Sequence, residues 1–403
     1  MAQIAANREE RVLVLQGGGA LGAYQAGVFQ ALTNAQLEPD WVAGISIGAI
    51  NSALIAGNPP ARRIARLREF WELVSSALPA PVYRAGGLDG IFRSPVNEAS
   101  AMHSLLFGVP GFFTPRVRPP QLQPEGSIAA ISYYDTAPLK HTLEQLVDFD
   151  LLNSGRVRLS VGAVNVETGN FIYFDTANQR IDVRHIMASG ALPPGLPPIE
   201  IDNEFYWDGG LVSNTPLQYA IEQPGERHRV MFQVDLFPAK GELPATILDV
   251  GQRDKDIRYS SRTRLNTSFE MERQQMIGAA QRLLDKLPPE LRVDPDAQML
   301  ASLRSECKGV DVVHLIYRTK QYESQAKDYE FSRLSMQEHW QAGHADMRDT
   351  LKDSRWTQRE PNSHAIRIFD LTRDKERLTE KRQAAATRTQ RAASPQKGIQ
   401  SST

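Results

Sequence analysis

The chain predicts an α/β protein: a mainly parallel central sheet with helices on both faces, continued by a helical C-terminal extension. Three observations carry this. Two long uncharged runs, Val12 to Leu37 and Trp41 to Ala61, each open with β-forming residues and then change to helical spacing. Both change at glycines. Later apolar segments at Val157 to Val166, Arg229 to Leu236 and Val310 to Tyr317 supply further strands. Strands of a parallel sheet are covered on both faces and so read as near-continuous apolar runs.

In chain order, Met1 to Glu10 reads as a loose tail. Arg11 to Gln16 is a strand, followed by Gly17-Gly18-Gly19-Ala20-Leu21-Gly22 and a helix from about Ala23 to Ala35. Trp41 to Gly44 is a second strand, and Gly44-Ile45-Ser46-Ile47-Gly48 carries it into another helix. This is the pattern of a nucleophile elbow, where a sharp strand-to-helix turn lifts a serine hydroxyl clear of its neighbours. Gly44 and Gly48 are needed because strand and helix approach too closely there for a side chain.

Arg62 to Val74 is a charged amphipathic helix. The segment 79–126, rich in glycine, proline and apolar residues, reads as an irregular cap or insertion. A helix follows from Asp135-Thr136, then a strand, the turn Glu167-Thr168-Gly169-Asn170 and a return strand. Ile181 begins a helix that holds His185, and the prolines from Ala188 to Pro198 enforce a stiff loop. Asp208-Gly209-Gly210 ends an apolar run, where Asp-Gly ordinarily marks a hairpin turn.

Residues 11–240 thus form the expected main body, and 241–355 a mostly helical extension that completes it. The apolar stripe Ile247, Val250, Ile257, Leu265, Phe269, Met276 and Leu283 is expected to be buried. Residues 356–403, basic and poor in apolar side chains, read as a disordered tail.

Composition removes several function classes. A net charge of −1 gives no global argument for nucleic acid as a partner. One cysteine, Cys307, rules out an intramolecular disulfide and a thiolate cluster. The N-terminus lacks the charge pattern of a signal peptide, and Glu38-Pro39-Asp40 with interspersed Gln and Asn argues against a membrane hairpin. The expectation is a cytoplasmic chain that can meet a membrane only from its surface.

The glycine turn has two readings. Gly17-x-Gly19-x-x-Gly22 after a strand matches a dinucleotide fingerprint, but the second strand ends in a serine rather than an acidic residue. The other use of such a turn is to aim N–H groups at a developing negative charge. His339 and His344, five apart on a helix, do not share a face as metal ligands. No metal or cofactor is expected.

These pieces resemble the bacterial patatin-like phospholipases over roughly Arg11 to Leu236. Gly17 to Gly22 is similar to the family's glycine-rich oxyanion motif, Gly44 to Gly48 to its elbow, and Asp208-Gly209-Gly210 to its D-G-G motif. The resemblance implies a serine–aspartate dyad: Ser46 attacks an acyl ester of a lipid and Asp208 accepts its proton. Gly18 and Gly19 then donate to the oxyanion, Gly17 shapes the turn, and Gly209 and Gly210 support the base. A free aspartate, with a pKa near 3.9, is a weak base for serine, so Asp208 is expected to be desolvated beside Ser46. A histidine base, His185, is the competing arrangement. Other acyl esters or hydroxyalkanoate oligomers are alternative substrates. A nucleotide-dependent oxidoreductase and a non-catalytic lipid-binding protein are the rival classes.

Overall fold

The structure is a computed structural model that describes residues 9–77, 89–225, 227–261, 263–302, 309–319, 323–360 and 366–370. Cys307, most of the expected N-terminal tail, residues 79–88 of the expected cap and the tail from 371 onward lie outside the described residues.

One sheet of nine strands organises the chain. In sequence order the strands are β1 (Glu10–Leu15), β2 (Trp41–Gly44), β3 (Arg158–Asn165), β4 (Phe171–Asp175), β5 (Ile199–Ile201), β6 (Glu204–Asp208), β7 (Arg229–Asp235), β8 (Val310–Ile316) and β9 (Ile366–Phe369). Across the sheet they run β9-β8-β7-β1-β2-β3-β6-β5, with β4 also paired to β3. The pairs from β9 to β3 are parallel, and those of β3 with β4, β3 with β6, and β5 with β6 are antiparallel. The sheet is therefore mixed but mostly parallel, in agreement with the expected class.

Alternation along β1 shows both faces covered. Leu13 and Leu15 join one apolar cluster, whereas Val12 and Val14 join another with Trp41, Ala43, Met231 and Val312. The larger cluster holds the helices α1 (Gly22–Asn34), α2 (Ile47–Ala56), α3 (Pro60–Val74) and most of the buried aromatic side chains.

Three expectations change. Residues Asp89–Phe107 form a helix, α4, with Pro95 inside it, although the glycine and proline content around them predicted irregular structure. Its buried positions, Asn97, Ser100, Ala101 and Ser104, recur at helical spacing, but small and polar residues give little apolar contrast. Next, helices α5 (Val183–Ser189), α6 (Ile247–Tyr259) and α7 (Thr263–Leu284) include the C-terminal pair, yet the described members of its apolar stripe are not covered, while the side chains of Leu265 and Phe269 lie outside the described ones. Ile247, Met276 and Leu283 are 81%, 65% and 64% exposed. Finally, the expected tail begins too early: Ile366–Phe369 is a strand with Ile366 opposite Val310.

The last long helix, α8 (Arg333–Thr350), lies against α1. Here glycine permits backbone contact. A Cβ on Gly27 would strike the Trp340 carbonyl, and one on Gly343 would strike the Tyr24 carbonyl. The Tyr24 hydroxyl donates to Asp346 at 2.8 Å across the same interface. Gly343→Val should therefore lower stability by about 1–3 kcal/mol through overpacking, measured by urea unfolding. An unchanged midpoint would show that the two helices have room to separate.

Candidate active site

Ser46 sits between the end of β2 and the start of α2. Its backbone has φ 56 and ψ −123, in the left-handed region that costs a non-glycine residue about 1–3 kcal/mol. The surroundings leave it no relaxed alternative. A Cβ on Gly44 would collide with the Gly48 carbonyl, and one on Gly48 with the Leu15 carbonyl. The Ser46 N–H donates to the Ser189 carbonyl at 3.1 Å and to its Oγ at 3.0 Å. Thus the C-terminal end of α5 holds the elbow from the opposite side. The N-terminus of α2 directs its positive dipole end toward the same turn.

Asp208 closes β6 and is 2% exposed. Opposite it in the ladder stands Ala163 of β3, and its N–H donates to the Ala191 carbonyl at 3.0 Å. Its Oδ1 accepts from the Gly210 N–H at 2.7 Å. Burial pushes its carboxyl up to about 7, opposed by the Ser46 hydroxyl, near enough to donate to it, and by the Gly210 N–H. Asp208 is buried, as expected, and the Ser46 side chain is among the groups that act on its carboxyl. Gly209 packs on the Gly162 carbonyl, and Gly210 fits between the Asp208 carboxylate and the Asn214 amide.

The glycine turn faces them. A Cβ on Gly17 would lie 3.1 Å from that of Ser46. The Gly17 N–H is committed to the Asn214 carbonyl at 3.1 Å, and the Ala20 N–H to the Asp328 carbonyl at 2.8 Å. Between them the N–H groups of Gly18 and Gly19 take no acceptor among the described residues, and both glycines are partly exposed. Gly19 has φ 52, where glycine is unstrained.

His185 is placed differently. It stands at the third position of α5 in a capping box with Asp182, whose N–H donates to its Nδ1 at 3.0 Å. Its ring meets Phe174 edge-on at 4.6 Å. His339 and His344 turn to separate partners, Glu323 at 2.8 Å and Asn34 at 3.2 Å.

Sequence reasoning gave no role to the polar groups that hold this site. The side-chain amide of Asn214 donates to the Gly17 carbonyl at 3.1 Å and to the Tyr259 carbonyl at 2.9 Å. Gln16 donates to Thr215 Oγ1 and the Tyr259 carbonyl, and accepts from the Leu236 and Phe237 N–H groups. Gln25 and Asn51 continue the chain to the Trp71 indole. The available signal was polar residues inside uncharged apolar runs, since buried amides must find partners.

An elbow serine above a mostly parallel sheet, facing a buried carboxylate and a glycine turn, defines an α/β protein of the nucleophile-elbow class. Residues 13–221 match the patatin-like phospholipase family, and residues 257–363 match a second family described as patatin phospholipase. The chain belongs to the patatin-like phospholipase family, a family of lipid ester hydrolases. A patatin-like phospholipase domain-containing protein of Caenorhabditis elegans is 41% identical over 59 residues, 15% of this chain and 5% of its own length. Among solved structures, VipD from Legionella pneumophila has a TM-score of 0.35 and 14% identity, covering 85% of this chain and 66% of its own. The complex of ExoU with SpcU from Pseudomonas aeruginosa has a TM-score of 0.26 and 15% identity, covering 74% and 66%. The chain thus spans a small part of the curated relative and just under two thirds of these structures.

The raised Asp208 carboxyl has a consequence for stability. Its folded value, about 7, exceeds the unfolded value near 3.9, so the folded chain holds this proton more tightly. The group's stabilising contribution is complete below about pH 4 and is lost as pH rises through 7, a change on the order of 4 kcal/mol. Asp208→Asn should accordingly raise the melting temperature at pH 8 and lose most of that gain at pH 4.5. Equal gains at both pH values would mean that the carboxyl is not desolvated.

Proposed function

We propose that the protein hydrolyses acyl esters of lipids through an acyl-enzyme on Ser46, with Asp208 as its base. The observation that carries this reading is the pairing of a left-handed elbow serine with a carboxyl pushed up to about 7. A base poised near the working pH is the condition for efficient proton abstraction.

Ser46 Oγ attacks the ester carbonyl as its proton passes to Asp208. The carbonyl oxygen, now an oxyanion, accepts hydrogen bonds from the Gly18 and Gly19 N–H groups, donors fixed before charge develops. Collapse of the tetrahedral intermediate breaks the ester C–O bond, and Asp208 returns the proton to the departing alcohol. Water then attacks the acyl-serine with Asp208 again as base, releasing the fatty acid and restoring Ser46.

A lipid acyl chain also has apolar surface to meet. On the C-terminal end of α4, Leu106 and Phe107 are 60% and 68% exposed. That end is tied to the site: the Tyr134 hydroxyl donates to the Leu105 carbonyl, and the Tyr133 and Tyr134 N–H groups donate to the Pro194 and Gly195 carbonyls. The same loop supplies the Ala191 carbonyl held by Asp208. No helix among the described residues is long and apolar enough to cross a membrane.

Ser46→Ala should lower kcat by about 10⁴-fold or more on a phospholipid and acylglycerol panel, and a fluorophosphonate should label Ser46 in the parent protein. Retained hydrolysis in Ser46→Ala would overturn the reading. The activity should rise with pH along a limb near 7, because Asp208 must be ionised. A limb at that position does not separate an aspartate base from a histidine, so substitution decides. His185→Gln should keep kcat within about threefold of the parent, whereas Asp208→Asn should lose activity on the scale expected for a missing base.

A further inference from the structure

We infer that the oxyanion turn is held in its working shape by the carbonyl groups of Tyr259 and Asp328, with Asn214 as the positioning residue that links the Tyr259 carbonyl to Gly17. This inference rests on the proposed serine chemistry and names the part of the chain that keeps it in register.

The turn is pinned at both ends and open in the middle. At one end Asn214 grips the Gly17 peptide twice, its carbonyl accepting from the Gly17 N–H and its amide donating to the Gly17 carbonyl, both at 3.1 Å. The same amide donates to the Tyr259 carbonyl at 2.9 Å, which also accepts from Gln16 at 3.0 Å. Tyr259 is the last residue of α6, so this carbonyl is one that a helix end leaves without an intrahelical partner. At the other end the Asp328 carbonyl accepts from the Ala20 N–H at 2.8 Å, and a Cβ on Gly19 would collide with that oxygen. The Gly18 and Gly19 N–H groups lie between the two anchors.

The anchors are themselves locked together. Lys255 of α6 donates to the Asp328 carboxylate at 2.8 Å, and buried Lys327 donates to Asp256 at 2.7 Å. Two neighbouring residues of α6 therefore exchange opposite charges with two neighbouring residues of the 323–330 segment. Loosening this arrangement should let the turn shift while Ser46 and Asp208 stay in place, because neither bonds to α6 or to Asp328. A fault confined to oxyanion donors weakens binding of the transition state and spares binding of the substrate.

The experiment measures kcat, KM and the inhibition constant of a trifluoromethyl ketone on the full chain with a soluble short-chain ester. Asn214→Asp keeps the side-chain shape and removes the amide donor. It should lower kcat by about 100-fold, leave KM within about threefold, and raise the ketone inhibition constant in proportion to the loss of kcat. The new carboxylate stands across Gly210 from Asp208, so the pH limb should move up in this variant, and kcat is compared on the plateau above it. Lys255→Met, at a partly exposed site, should do the same to kcat and ketone inhibition on a scale of about three- to tenfold, and it keeps the test available if Asn214→Asp does not fold. Unchanged ketone inhibition in folded variants, or a loss confined to KM, would overturn the inference. Fluorophosphonate labelling separates the two claims. A parent protein that does not label at Ser46 sinks the serine chemistry, whereas labelling with insensitive Asn214 and Lys255 variants sinks only this inference.

Discussion

The desolvation of one carboxylate beside one hydroxyl is the constraint on which this structure turns. An aspartate in water is too acidic to draw a proton from serine, and an aspartate in an apolar interior is costly to ionise. Asp208 stands between these limits because its environment is dry but not empty. The Gly210 N–H and the Ser46 hydroxyl meet the carboxylate, and the β3–β6 ladder fixes its backbone. In the proposed reading, strength as a base and cost to the fold come from the same burial, so neither can be altered alone.

Glycine is what allows so much backbone to converge there. Gly44 and Gly48 bring β2 and α2 into contact, Gly209 lies on the Gly162 carbonyl, and Gly17 touches Ser46. Close approach of main chains exposes many N–H and C=O groups to one another, and each needs a partner once water is excluded. The amides of Gln16, Gln25, Asn51 and Asn214 serve that need. Their role is to let a glycine-rich, side-chain-poor region be rigid, since glycine itself resists ordering.

Much of this was legible because it is local. The elbow, the glycine turn and Asp208-Gly209-Gly210 are short patterns whose geometry is dictated by residues a few positions apart. What escaped was set by distant packing or by weak contrast. Helix α4 was hidden by the prolines and glycines near it, while the strand Ile366–Phe369 has only four residues and depends on β8 for its pairing. The hairpin between β5 and β6 turns at Asp202 and Asn203, both with positive φ, a turn those residue types favour but that the neighbouring prolines obscured. Amphipathic spacing in α6 and α7 revealed helices correctly but not the exposure of Ile247, Met276 and Leu283, because periodicity reports a face and not what covers it.

The position of β1 explains why the later part of the chain bears on the chemistry. β1 lies between β2 and β7, so the turn that leaves it has Ser46 on one flank and the strands β7 and β8 on the other. The β2 side is already occupied by the elbow. Support for the turn must therefore come from the β7 side, and there the chain continues into Leu236, Phe237 and α6. Gln16, the last residue before Gly17, accordingly spends its carbonyl side-chain oxygen on the Leu236 and Phe237 N–H groups and its amide on the Tyr259 carbonyl. The segment matching at 257–363 thus meets the segment matching at 13–221 where the buried amides of Gln16 and Asn214 donate to the half-buried Tyr259 carbonyl. A buried amide seam leaves unpaired groups wherever one side is absent, each carrying a desolvation penalty of about 1–3 kcal/mol. The glycine turn is therefore the place where losing the C-terminal side would be felt first, ahead of Ser46 or Asp208, whose own hydrogen bonds run to α5, to the loop that follows it and to Gly210.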